Sequence, residues 1–165
     1  NNMSFSARMV FDLCEYINMS LNYKTFAPDS VRMNVFVIWA YSEFYGFHVE
    51  AEYLYKYYGD VFQPTHALTG FVNYDLKLPK VFSKISFLAR YDIMTDNNHG
   101  YRNELGTLSV DDIACQRITG GVTLSLAKPF HADLRINYEK YFYQDWAEAD
   151  PDKQDKLVIE LVARF

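Results

Sequence analysis

Apolar and polar residues alternate along most of this chain with a period of two. In the last stretch Leu157, Ile159, Leu161, Ala163 and Phe165 fall on one face of an extended strand, and Lys156, Val158, Glu160, Val162 and Arg164 on the other. Met3 to about Cys14 sets Phe5, Ala7, Met9 and Phe11 against Ser4, Ser6, Arg8 and Asp12. Val31 to Tyr41 sets Val35, Val37, Trp39 and Tyr41 against a face begun by Arg32 and Asn34. Phe44 to Tyr58 sets Phe47, Val49, Ala51, Tyr53 and Tyr55 against Gly46, His48, Glu50 and Glu52, with aromatics at both ends and small residues between. Four more strands are predicted over Ala67–Leu78, Val81–Ile93, Ile113–Leu126 and Phe130–Tyr143, giving about eight.

Between them, residues 15–30, 59–66, 94–112 and 144–155 read as loops rich in Asn, Ser, Asp, Gly and Pro. Tight turns are predicted near Ser42-Glu43, Pro79-Lys80 and Lys128-Pro129. Long and tight connections therefore alternate, as they do between the outer and periplasmic sides of an outer-membrane barrel.

This pattern predicts an all-β antiparallel barrel formed as one region over residues 1–165. Alternation does not say which face is inside, because a soluble lipocalin-like barrel alternates in the same way. Side-chain volume does. About eight strands each offer about six apolar-face residues, many of them Phe, Tyr, Leu or Trp, and an interior just wide enough for side chains would be overpacked. The opposite face carries Ser, Thr, Gly and Asn among charges, which suits a wet lumen. The expectation is a transmembrane barrel with its apolar face in lipid.

Composition agrees. The chain has 165 residues, 50% of them apolar and 18% aromatic. Its mean hydropathy is only -0.20, and no apolar run approaches the roughly 20 residues of a transmembrane helix. A lumen face that dilutes a lipid face gives this combination. The net charge of -5 argues against a nucleic-acid partner. No secretory n-region or h-region opens the chain, so it reads as a mature product or a piece lacking its upstream part. Cys14 and Cys115 map near one end of the expected barrel. An envelope disulfide is one reading and two unlinked small residues the other; the second is preferred because the pair has no spacing signature.

Candidate chemistry lies on the polar face. Arg8, Lys84, Arg90, Arg117 and Arg135 are expected to line the pore, with Glu50, Asp133 and Glu139 on the same wall. The cations could form an anion track. Asp12, Asp75 and Asp92 share the surface, so pairing is the preferred reading. His48, Glu50 and Glu52 form a row spaced by about 7 Å, twice the strand rise. Without a converging partner it reads as a solvated wall rather than a catalytic or metal site, and Asp92, Asp96 and Asn98 are a similarly weak calcium motif. No serine is placed with a histidine and an acid in a hydrolase arrangement. Neither an enzymatic activity nor a cofactor is expected.

The closing strand resembles the C-terminal assembly signal of bacterial outer-membrane proteins. It has a terminal Phe165 with Leu157, Ile159 and Leu161 at alternate positions, and one departure is Ala163, where that signal often carries a Tyr. The block Arg117-Ile-Thr-Gly-Gly-Val-Thr-Leu-Ser-Leu-Ala-Lys-Pro-Phe130, the segment Leu134 to Phe142 and the closing strand together resemble the end of porins from the Bacteroidota. They are similar to the phosphate-selective porin (O and P type) superfamily. The resemblance covers about residues 80–165, and the first half only in strand rhythm. It implies a sixteen-stranded, usually trimeric outer-membrane porin with this chain as its second half, a passive channel for small hydrophilic solutes or anions such as phosphate. It also implies outer-membrane lipid, lipopolysaccharide and the barrel-assembly machinery as partners. A filled structural or binding barrel and an outer-membrane hydrolase are the alternatives. Composition does not support a phosphate preference, with 21 acidic residues against 16 Lys and Arg. The 94–112 segment, with Arg102, Glu104, Asp111 and Asp112, is expected either to fold into the lumen as a constriction or to pack outside.

Overall fold

The computed structural model describes residues 4–27, 32–58, 64–78, 82–95, 114–126, 131–143 and 155–164. These form nine strands: β1 Phe5–Cys14, β2 Ile17–Phe26, β3 Met33–Phe44, β4 Phe47–Tyr57, β5 Thr65–Lys77, β6 Phe82–Met94, β7 Cys115–Leu126, β8 His131–Tyr143 and β9 Lys156–Arg164. They make a single sheet in strict chain order, and every neighbouring pair is antiparallel. No helix occurs among the described residues. β1 and β9 are the two edges and do not pair, so the sheet is open.

The expectation of about eight strands is corrected to nine. Residues 17–26, expected to be loop, are β2, paired with β1 through Met9–Leu21 and with β3 through Leu21–Ile38. Its turn-type residues Asn18, Ser20 and Asn22 occupy the polar face, where strands tolerate them. The first connection is the two-residue turn at Glu15-Tyr16, and the alternation of short and longer connections survives. The turn placed near Ser42-Glu43 is at Tyr45-Gly46 instead, with φ of 47° and 85°. Positive φ at both central residues is the type I′ signature, whose twist matches that of the flanking strands. Gly46 is thus a turn residue. The predicted turns at Pro79-Lys80 and Lys128-Pro129 lie outside the described residues, as do Phe165 and nearly all of the 94–112 segment.

The register carries the two faces across the whole sheet. One row runs Phe11–Met19–Ala40–Ala51–Gly70–Tyr91–Ile118 through directly opposed pairs. It is apolar or small over these seven strands, and continues to Lys140 on β8. β3 has the opposite facing to the one expected. Val35, Val37, Trp39 and Tyr41 oppose Lys24, Asn22, Ser20 and Asn18, and so lie on the polar face. Phe36, Ile38 and Ala40 lie on the apolar face. Both faces of β3 are apolar, so its own periodicity is silent and only the neighbours fix its facing.

Exposure across the sheet is inverted relative to a soluble fold. No apolar residue among the described residues is buried. The buried residues are Ser20, Thr65, Ser86, Thr119 and Ser125, all on the polar face. On interior strands Ser86 is 6% exposed beside Phe87 at 45%, and Thr119 is 5% exposed beside Ile118 at 50%. Side chains of the polar face cover one another, and none of the apolar face is buried.

Aromatic rings on the apolar face are concentrated in two rows, with Phe11 and Tyr91 in the ladder row between them. Near the longer connections, Phe5 contacts Tyr23 (6.3 Å), Tyr23 contacts Phe36 (4.7 Å), Phe36 contacts Tyr55 (6.3 Å) and Tyr55 contacts His66 (5.0 Å), crossing five strands. Near the tight turns, Phe44 contacts Phe47 (5.7 Å), Phe47 contacts Tyr74 (4.6 Å), and Tyr74 stands opposite Phe87. Val49, Ala51, Gly70 and Val72 lie between the rows. Phe47 and Tyr55 on β4 are about 26 Å apart along the strand, or roughly 20 Å along a membrane normal at a tilt near 40°.

Candidate functional site

The polar face gathers all eight residues expected to line a pore. Arg8 is on β1, Glu50 on β4, Lys84 and Arg90 on β6, Arg117 on β7, and Asp133, Arg135 and Glu139 on β8. Ladder pairs connect their rows across one surface, including Arg90–Thr119, Thr119–Glu139 and Asp133–Ser125. What the sequence does not show is how completely these charges are paired.

The centre is Asp92. Its carboxylate accepts bonds from Arg90 Nε (2.9 Å) and Nη2 (2.8 Å), from Arg117 Nε (2.9 Å) and from Thr69 Oγ1 (2.8 Å). Arg117 reaches on to Glu139 at 3.7 Å, and Tyr141 donates its hydroxyl to Glu139 at 2.6 Å. One carboxylate thus joins two guanidiniums from adjacent strands and passes the network to a second carboxylate. Nearer the tight turns, Asp75 accepts from Lys84 Nζ (2.6 Å), Ser86 Oγ (2.6 Å) and Asn73 Nδ2 (2.9 Å). Arg135 pairs with Glu160 at 3.1 Å. Arg8 makes no ion pair among the described residues. Four of the five candidate cations are therefore matched by acids, which favours a balanced wall over an anion track.

The row of His48, Glu50 and Glu52 is not the bare wall expected of it. His48 bonds Glu50 Oε1 through Nε2 (2.6 Å) and Glu43 Oε1 through Nδ1 (2.8 Å). Trp39 donates Nε1–H to the other oxygen of Glu50 at 3.1 Å. Rings continue from Trp39 to Tyr41 (4.9 Å), Tyr41 to His48 (5.9 Å) and His48 to Phe71 (5.6 Å). Sequence reading missed this aromatic group because the facing of β3 was inverted. Phe71 was the available signal, an aromatic at a polar position of β5. No group of three or more His, Cys, Asp or Glu suited to a metal ion occurs among the described residues.

Two small features complete the face. Gly121 lies under Asn137, whose Oδ1 would be 1.9 Å from an added Cβ. The buried hydroxyls of Thr65 and Thr119 have no protein partner among the described residues, and water on a wet face would satisfy them. The cysteines lie at opposite ends of the sheet, Cys14 at the end of β1 beside a tight turn and Cys115 at the start of β7 beside a longer connection. This corrects their placement near one end, and no disulfide joins them.

Where β9 begins, the Asp155 carboxylate takes the place of a ladder partner. It accepts from the Tyr141 backbone N–H (3.0 Å), Lys140 Nζ (2.6 Å) and Tyr138 Oη (3.1 Å). The Lys140 ammonium, then these other donors, hold the Asp155 carboxyl below the usual carboxylate range.

Comparison with protein-family models, with curated proteins and with solved structures returns no match for this chain. The functional reading therefore rests on the sheet and its side chains.

Proposed function

We propose that this sheet is part of an outer-membrane β-barrel porin, a passive diffusion channel for small hydrophilic solutes, with its polar face lining the lumen and its apolar face in lipid. The observation that carries the reading is the inverted exposure: the buried residues, all Ser and Thr, lie on one face, while no apolar residue of the other is buried and many are exposed. In water, an uncovered apolar face of this size would drive association or collapse. In a bilayer it is the required outer surface, and two aromatic rows bounding an aliphatic waist are the girdles of such a barrel.

Strand count supports a larger barrel. In an up-and-down sheet of nine strands the first and last run parallel, so closing β1 on β9 would need a parallel pair. Bacterial single-chain barrels have even strand numbers. Sixteen strands, the number implied by the resemblance to phosphate-selective porins, would add seven and give both edges antiparallel neighbours. Trimerisation, lipopolysaccharide contact and delivery by the barrel-assembly machinery belong to the same proposal. The balanced wall supports weak charge preference rather than strict phosphate selectivity.

Planar-bilayer recording of the full-length protein tests the reading. Discrete conductance steps are expected. Correctly inserted protein that gives no steps would contradict a channel and favour a filled barrel.

A further inference from the structure

We infer that the aromatic group on β3–β5 is a binding surface for neutral oligosaccharides passing along the polar face; this deepens the channel reading and rests on it. Trp39, Tyr41, His48 and Phe71 form one chain of ring contacts, tilted by 35° between Trp39 and Tyr41 and stacked at 26° and 25° onward to His48 and Phe71. The polar face carries scattered aliphatic residues elsewhere, Val35, Val37 and Leu88 among them, but among the described residues only here do Trp, Tyr, His and Phe rings gather on three adjacent strands. Such a cluster keeps apolar area at the water-facing surface. A pyranose ring can cover it. Its C–H faces are apolar and weakly electropositive, and they match the electronegative faces of Trp, Tyr and Phe.

The surroundings fit the hydroxyls of such a ligand. A cleft of about 180 Å³ opens at Trp39, bounded by Glu50, Glu52, Thr69, Phe71 and Arg90. Carboxylates accept from sugar hydroxyls, as does the Thr69 hydroxyl oxygen, whose proton goes to Asp92, and the remaining N–H groups of the Arg90 guanidinium donate to them. Glu50 is held by His48 and Trp39, and Arg90 by Asp92, while Glu52 makes no ion pair among the described residues. The cleft therefore sets both acceptors and donors beside the rings, which fits a polyol; an organic cation, the other partner of aromatic faces, uses the acceptors alone.

The test is current recording through the full-length protein in a planar bilayer, with maltohexaose, cellohexaose and xylohexaose added in turn, and calorimetric titration of the same sugars into detergent-solubilised protein. Concentration-dependent interruptions by at least one sugar are expected, with apparent affinity lowered about tenfold by Trp39→Ala or Phe71→Ala. Trp39→Phe keeps a ring but loses the bond to Glu50, and its affinity should stay within about threefold of the parent. It serves as the readout if the alanine variants do not insert. Open channels that none of the three sugars interrupts or binds would overturn the oligosaccharide assignment and leave the channel reading standing. Interruption by tetraethylammonium and by no sugar would overturn it in favour of a cation. Calorimetric binding that depends on Phe71 in a protein without conductance would support the site and contradict the channel.

Discussion

Arg117 on β7 and Asp92 on β6 stand directly opposite each other in the ladder and meet at 2.9 Å, Nε to Oδ2. Because Arg90 lies two residues from Asp92 on the same strand face, this one carboxylate also neutralises a second guanidinium. Asp92→Asn keeps the volume and removes the charge, leaving Arg90 without an acid and Arg117 with Glu139 alone. These pairs are half-buried, with the Asp92 side chain 18% exposed, so the loss should exceed the ~0–1 kcal/mol of an exposed pair, and the variant should still fold because Asn keeps a side-chain oxygen toward Thr69. Its ion preference should shift severalfold toward chloride, read as reversal potential across a potassium chloride gradient. An unchanged potential would place these arginines away from the conduction path.

The two faces of β7 should respond oppositely to charge. Val122 on the apolar face and Thr123 on the polar face are neighbours in sequence. In a bilayer, Val122→Arg should destabilise by about 2–4 kcal/mol if it sits near the midplane. Thr123→Arg should cost about 1 kcal/mol or less. Denaturant unfolding in liposomes measures both, and equal costs would contradict the facing.

Tyr45 has φ of 47° and is 96% exposed, so it bears left-handed strain without packing to compensate. Tyr45→Asn should stabilise the β3–β4 hairpin by about 0.5–1 kcal/mol. Gly46→Val should destabilise it, because φ is 85° and an added Cβ would stand 3.1 Å from the Asp75 carbonyl oxygen. Unfolding midpoints of the two variants should move in opposite directions.

Asp155 gives a pH dependence with a fixed sign. Its folded pKa lies below the ordinary value of about 3.9. The stability it contributes is therefore fully present above that value and lost as pH falls through the lower folded pKa. Asp155→Asn should be less stable than the parent at pH 6, and the gap should narrow below about pH 4. A gap that is constant with pH would mean that the carboxylate charge is not what anchors β9 to β8.

Much of the strand rhythm was legible because water and lipid impose a period of two wherever the faces differ. β4 to β8 carry that contrast on both faces, and their facings are the expected ones. β2 was hidden because its polar face is built from Asn and Ser, residues that also punctuate loops, although Ile17, Met19, Leu21 and Tyr23 alternate with them. β3 was found with the wrong facing because Val, Ile, Phe and Trp occupy both sides, and only pairing with β2 and β4 decides. The pairings at Asp92 and Glu50 depend on ladder register, which one-strand periodicity does not encode. Phe165 and the 94–112 segment, named from sequence, lie outside the described residues.

The central claim is that the apolar face meets lipid and the polar face meets water. Single nitroxide labels at successive positions along β6, from Ile85 to Tyr91, in the reconstituted full-length protein test it most directly. Labels at Ile85, Phe87, Ala89 and Tyr91 should collide with oxygen dissolved in the bilayer, and labels at Ser86, Leu88 and Arg90 with a water-soluble nickel chelate, in strict alternation. A reversed alternation, or chelate access at every position, would contradict a membrane-spanning sheet with a polar lumen.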